Sequence, residues 1–303
     1  MARLVQMTGP VVDLIYKLRA APRSGQEAIF TGFSVGPGGG FNAMAAARAA
    51  GIEVTLVGTL GEAPFAQTVA SALRAQGIGL ARPAVAGIDQ GCCVVMLEPD
   101  GGRSFIAAPG AEGQIAAQDL AEIALERGDW VMLAGYTLRY SDASHAAADW
   151  VSALPPVVTL IFDSSPVMAE LPSALLGPVL SRADWISANS EEAAVLTGLA
   201  DARQAARALA GTRSGAVVRR GAQGCILSFA GQDHNLPGHM PCGPSTPMAR
   251  ATPISAASWP VCCLRAIRQY RRRPAGDPRR PGHRAGARGG DGLSLGSGHV
   301  LGS

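Results

Sequence analysis

The sequence of 303 residues contains one lysine, Lys17. A Walker A phosphate loop requires Gly-Lys-Ser/Thr, so that route to nucleotide binding is excluded. A dinucleotide G-x-G-x-x-G starting at Gly36 also fails, because its last position is Phe41. No apolar run approaches the roughly 18 residues that a membrane span needs. Met1-Ala2-Arg3-Leu4 leads straight into strand-like sequence, without a leader pattern. A cytoplasmic protein with no membrane partner is expected. The six cysteines form two adjacent pairs, Cys92-Cys93 and Cys262-Cys263, and two singles, Cys225 and Cys242. Without a C-x-x-C spacing they argue against structural zinc or a disulfide scaffold, and for reduced thiols.

What is present is a large apolar fraction, 48%, enough to bury the core of one large or two modest domains. The net charge of +3 conceals an asymmetry. Residues 1–245 carry 16 basic and 21 acidic side chains, net −5, whereas residues 246–303 carry ten arginines against Asp277 and Asp291, net +8. The tail is dominated by Gly, Pro and Arg, as in Arg271-Arg272-Arg273-Pro274 and Arg279-Arg280-Pro281-Gly282. Such composition is expected to be irregular and disordered.

Before the tail, strand and helix signals alternate. Arg3–Leu18 reads as an opening strand or strand pair. The turn-like Gly36-Pro37-Gly38-Gly39-Gly40 precedes a helix that Asn42 can cap and Gly51 stops. A strand over Val54–Val57 and a helix over Phe65–Gln76 follow. Cys92–Glu98 and Arg103–Ala108 flank Pro99-Asp100-Gly101-Gly102 and predict a β-hairpin. Alternation resumes with a helix over Ala116–Arg127, a strand over Trp130–Ala134, a helix over Asp142–Leu154 and a strand over Val157–Phe162. Further helices are expected near Leu171–Ser181, over Glu191–Leu196 and over Ala202–Ala210. Strands are expected over Trp185–Ala188, Ala216–Arg219 and Cys225–Phe229. This βαβ rhythm favours a mainly parallel sheet covered by helices.

Three stretches carry chemistry. Gly38-Gly39-Gly40-Phe41-Asn42, followed by Gly51 and Gly61, permits close backbone approach and offers a carboxamide to a ligand hydroxyl; a plain glycine-rich turn would look similar. Asn189-Ser190-Glu191-Glu192 lies between a strand and a helix. Its acids suit the positive end of a helix dipole, and they also suit a hydrated magnesium ion. Val218-Arg219-Arg220-Gly221-Ala222-Gln223-Gly224 combines a strand end with a glycine turn.

Up to about Gly238 these features together resemble the ribokinase-like (PfkB) family of carbohydrate kinases. The glycine–asparagine segment is similar to its N-terminal signature, with Gly51 and Gly61 at the later glycine spacings and Met44 where a small residue is usual. The resemblance implies a three-layer α/β fold of αβα type, with a mainly parallel central sheet and a small β-sheet lid. The lid strands would fall within about 10–37 and 91–108 of a domain spanning 1–238, leaving 239–303 as an aberrant tail. It further implies that Asp13, Gly39, Gly40 and Asn42 bind the sugar, and that Asn189, Glu192, Arg219, Gly221 and Gly224 serve the ATP side, with Glu192 ordering Mg²⁺. Gly110-Ala111-Glu112 stands where relatives often have Gly-Ala-Asn. A homodimer paired through the lid is a further implication, and sugars or nucleosides are the implied substrates.

The family's D-T-x-G-A-G-D motif, which supplies the anion hole and the general base, is absent, so no catalytic residue can be assigned. The nearest polar stretch is Ser245-Thr246-Pro247-Met248-Ala249-Arg250-Ala251-Thr252-Pro253. Reading each third base with the first two of the next codon forces Gly at Met248–Ala249 and Ala at Trp259–Pro260. With permitted third bases, Ser245 onward can then encode D-T-N-G-A-G-D-A-H-x-G-G-F-L-A-G-L. A frameshift near Gly238–Met240 is therefore expected. Three functions are compatible with these features: an ATP-dependent carbohydrate kinase, impaired as written; a non-catalytic sugar-binding or regulatory remnant; and nucleic-acid binding by the basic tail. The last is disfavoured, because the tail has few aromatics (Trp259, Tyr270) and no module motif.

Overall fold

The computed structural model describes residues 3–100 and 102–236. The expected tail from 239, and the stretch that replaces the missing motif, lie outside the described residues. The chain begins with β1 (Leu4–Gln6), β2 (Pro10–Leu18), β3 (Phe30–Gly39), α1 (Gly40–Ala49), β4 (Val54–Leu56), α2 (Pro64–Ala75) and β5 (Gly79–Leu80). It continues through β6 (Cys92–Leu97), β7 (Arg103–Ala108), α3 (Ala117–Ala121), β8 (Trp130–Ala134), α4 (Gly135–Arg139), α5 (Ser141–Ser152) and β9 (Thr159–Asp163). The remainder is α6 (Ser173–Arg182), β10 (Trp185–Asn189), α7 (Ser190–Thr197), α8 (Ala202–Ala210), β11 (Gly215–Arg219), β12 (Cys225–Phe229) and β13 (Gln232–Leu236).

Two sheets result. Nine strands run in the order β13-β12-β11-β10-β9-β8-β1-β4-β5, parallel from β11 to β5, with β12 and β13 added as an antiparallel hairpin. A separate four-stranded sheet has the order β3-β2-β6-β7. Its hairpin β6–β7 pairs Leu97 with Arg103 and Cys92 with Ala108, as the turn residues predict. The opening apolar stretch is a strand pair, and its members belong to different sheets.

The parallel strands are buried on both faces, which is why they read as nearly continuous apolar runs. On β8, Val131 and Leu133 pack toward α5, α6 and α8, while Trp130 and Met132 join Phe41, Met44, Val69 and Leu73 from α1 and α2 on the other face. Met44, the departure from the glycine–asparagine signature, is fully buried in that second layer.

Three expectations are corrected. Gly36-Pro37-Gly38-Gly39 is not a turn; it is the second half of β3, paired with Asp13, Val12, Val11 and Pro10 of β2. Pro37 is tolerated because β3 is an edge strand. Asn42 does not cap α1, since the cap is Gly39 and no side chain serves it. Gly51 does stop that helix: its N–H reaches Arg48 O at 2.8 Å and Ile52 N–H reaches Ala47 O at 3.0 Å, a Schellman arrangement. The helix expected over 116–127 ends at Ala121. Beyond it, Arg3 takes the Ala124 carbonyl (2.6 Å) and Asp129 takes the Glu126 N–H (2.9 Å), so these groups are withdrawn from helical pairing. Strand β13 and helix α4 have no counterpart in the sequence reading.

Phe162 on β9 is fully buried between α-helical neighbours of the first core layer. Phe162→Ala should lower stability by about 3–5 kcal/mol in urea unfolding, the usual effect of emptying an aromatic site that cannot collapse. A loss under about 1 kcal/mol would contradict this packing.

Candidate active site

The order of the large sheet reverses between β8 and β1, because the chain leaves β1 toward β4 on one side and β8 begins the other half. Crevices of this kind open at the carboxyl ends of the strands. Here the floor is built by Thr8, whose Oγ1 accepts from Ala134 N (2.7 Å) and Thr137 Oγ1 (3.0 Å).

Asp13 and the Gly38–Gly40 segment approach each other and the backbone after β1 closely. A Cβ on Gly40 would stand 2.0 Å from Thr8 O, and one on Gly38 would stand 1.9 Å from Asp13 Oδ2. Only glycine allows both approaches. Gly39 has φ +57, the left-handed region that turns β3 into α1. Asn42 occupies the third helical position, half-buried and without a hydrogen-bond partner among the described residues, so its carboxamide is available to a ligand. Asp13 on β2 is 5% exposed and has no ion-pair partner among the described residues. Burial pushes its carboxyl up to about 7. Cys93 faces it in register on β6, and burial together with the charges of Asp13 and Cys92 pushes that thiol up to about 11.

The second cluster sits at the ends of β9, β10 and β11. Asn189 caps α7 by accepting from Glu192 N (2.8 Å), and Glu192 reaches back to Asn189 N (2.9 Å), completing a capping box. Asn189 Nδ2 donates to Glu192 Oε1 (2.8 Å), and Ser164 Oγ donates to Oε2 (2.6 Å). Arg219 ties the group together: Nη1 lies 2.7 Å from Asp163 Oδ1 and Nη2 lies 3.4 Å from Glu192 Oε2. Burial raises the Glu192 carboxyl and the Asp163 charge adds to this, while Arg219, Ser164 and the Asn189 backbone pull it down. Gly221 and Gly224, with φ +54 and +85, form the turn from β11 to β12, closed by Arg220 N to Gly224 O at 2.7 Å.

The Tyr136 hydroxyl is raised first by burial, then by the charges of Glu192, Cys93 and Asp163, while Arg139 lowers it. Sequence reasoning missed Tyr136, Asp163 and Ser164. Their signal was positional, since all three lie at or just past the carboxyl end of a buried parallel strand.

Layer order, switch-point crevice and small covering sheet define a ribokinase-like α/β protein. Solved structures share that fold at 16–22% identity: the ribokinase of Giardia lamblia (TM-score 0.67, 17% identical, 79% of this chain and 77% of that one), the Arabidopsis thaliana ribokinase complexed with ribose and ATP (0.58, 22%, 78% of each), and the adenosine kinase of Sinorhizobium meliloti (0.64, 16%, 79% and 80%). The profile of the pfkB family carbohydrate kinases matches residues 9–241, and the chain belongs to that family. It is also 29% identical over 186 residues to the uncharacterized sugar kinase YegV of Escherichia coli K12, an alignment covering 61% of this chain and 57% of that protein's length.

Because the Asp13 carboxyl stands near 7 in the fold against 3.8 ordinarily, the stability it contributes is complete below its ordinary value and is lost as pH rises through about 7. Asp13→Asn should remove this slope, gaining on the order of 2–4 kcal/mol relative to the parent above neutrality. Urea midpoints of both proteins at about pH 5 and about pH 8 measure it; parallel pH dependences would rule it out.

Proposed function

We propose that the chain descends from an ATP-dependent kinase of a sugar or nucleoside hydroxyl, and that as written it keeps the substrate site without the base that completes transfer. The observation that carries this reading is the buried Asp13 carboxyl, without an ion-pair partner among the described residues and packed against Gly38 just before the Gly39–Gly40 joint. A carboxylate accepts two hydrogen bonds from neighbouring hydroxyls, and such charged bonds are about twice as strong as neutral ones. Asn42 can donate and accept on the same ligand. A sugar hydroxyl would then attack the γ-phosphoryl group of ATP in line, a reaction governed by positioning and charge.

The ATP side is assigned to Asn189, Glu192, Arg219, Gly221 and Gly224. Among the described residues Glu192 Oε1 accepts one hydrogen bond, from Asn189, and so can accept another from a metal-bound water. That fits Mg²⁺ held through its water shell rather than by direct coordination. Bound there, magnesium would offset phosphate charge. Arg219 pairs with both Asp163 and Glu192 and offsets one of their two charges, leaving one for the metal.

The second reading, a sugar-binding remnant without chemistry, is favoured by the missing D-T-x-G-A-G-D string and by a family match that ends at residue 241. A frameshift near Gly238–Met240 accounts for both. The in-frame continuation would supply the general base, the anion hole and a helix for the sheet face that carries Trp130, Trp185 and Phe229. The exposed Phe30, Phe33, Phe105 and Ile106 on the outer strands of the small sheet suit a homodimer paired through it. A cytoplasmic setting accords with the absence, among the described residues, of a helix long and apolar enough to cross a membrane.

Calorimetric titration with D-ribose, inosine and Mg-ATP tests the site. Polyol binding is expected and should weaken at least about tenfold in Asp13→Asn, consistent with losing a charged hydrogen bond. Turnover should be negligible. Restoring the alternative frame after codon 240 should raise it by roughly 10²–10⁴ for the general base alone. Ordinary kinase rates from the chain as written, or an intact coding frame shared with close relatives, would overturn the proposal.

A further inference from the structure

Four chain crossings connect the small sheet to the core: Gly9-Pro10 into β2, Gly39-Gly40 out of β3, Gly91 into β6 and Gly110 out of β7. Three of them, at Gly9-Pro10, Gly91 and Gly110, meet at two buried polar side chains, Gln90 (2% exposed) and Glu112 (3%). Glu112 Oε2 accepts from Gly91 N (2.8 Å) and Gln90 Nε2 (3.2 Å), and its Oε1 accepts from Gly110 N (3.0 Å) and from Tyr140 Oη of the core (3.4 Å). Gln90 Nε2 also reaches Pro10 O (2.7 Å) and Thr59 O (3.3 Å), while its Oε1 accepts from Gly61 N (3.2 Å). The remaining crossing is tied by Gly40 N to Gly9 O at 3.2 Å. The backbone is cut away to admit the acid: a Cβ on Gly9 would lie 2.4 Å from Glu112 Cβ, and one on Gly91 would lie 2.1 Å from Glu112 Oε1.

A carboxylate is the side chain that this socket requires. Four donors face two oxygens, and a carboxylate only accepts. A carboxamide of the same size would turn an NH₂ donor against a backbone N–H or the Gln90 amide, leaving a buried group unpaired. Asp13 lies three residues beyond Pro10 on the same strand, so whatever fixes Pro10 fixes the height of Asp13 over the crevice.

We infer that Glu112, with Gln90, is a positioning residue that anchors three of the four crossings of the small sheet to the core and thereby sets the place of Asp13. The consequence for a polyol ligand rests on the function proposed above; the anchor is a property of the free chain and is tested without ligand. Hydrogen–deuterium exchange of the full chain, read by mass spectrometry, compares the parent with Glu112→Gln and Tyr140→Phe. Peptides covering 10–18, 92–97 and 103–108 should exchange at least about tenfold faster in Glu112→Gln, and about two- to threefold faster in Tyr140→Phe, which deletes only one of the four donors. Peptides covering 130–134, 159–163 and 185–189 should keep the parent's rates. A parallel change in both sheets would mean that Glu112 supports the fold at large, and unchanged small-sheet rates would mean that it anchors nothing; either result overturns the inference. If Glu112→Gln does not fold, Tyr140→Phe decides between the same outcomes.

Discussion

The contact between the backbone after β1 and the backbone before α1 governs the rest of the site. Thr8 O lies where a Cβ of residue 40 would be, and Gly40 N–H bonds Gly9 O. This single approach joins the large sheet, the small sheet and the first helix. It starts the helix that carries Asn42, and it fixes the end of β3 that pairs with the Asp13 strand. Any side chain at residue 40 would force these three elements apart, and each of the other contacts in the crevice presupposes that they meet.

Two buried carboxyl groups, Asp13 and Glu192, differ in their electrostatic surroundings. Asp13 is buried without a countercharge, so its charged form is costly and waits for hydroxyl donors. Glu192 is equally buried, but it is held by Ser164, Asn189 and the Arg219 guanidinium that also binds Asp163. The first carboxyl has no countercharge, whereas in the second cluster one guanidinium balances one of two carboxylates. Glu112, a third buried acid, is saturated with donors and has no capacity left for a ligand, so its role is mechanical.

Much of the fold was legible in the sequence because buried parallel strands are short apolar runs and their helices end on glycines. Trp130–Ala134 and Cys225–Phe229 match their strands to the residue, and Ala202–Ala210 matches its helix. Two of the misreadings share a cause. Gly36-Pro37-Gly38-Gly39 has turn composition, yet it is an edge strand because Asp13 needs the space that those glycines leave. The helix after Ala116 stops early because Arg3, distant in sequence, and Asp129, three residues on from Glu126, claim its backbone groups. Asn42 has a good capping side chain, but Gly39 already makes the turn with a positive φ. In the first two cases a contact with a distant strand or residue outweighed a local preference.

By itself, the sequence determined the family, the layer class, the glycine–asparagine segment and the absence of the catalytic motif, since each is written in residue types at fixed spacings along one stretch. Tertiary structure alone decided that Arg219 joins Asp163 and Glu192, and that Gly91 and Gly110, at two crossings of the small sheet, both donate to Glu112. Those facts depend on strands separated by tens of residues ending side by side, and pairing of that kind leaves no periodic trace in the chain.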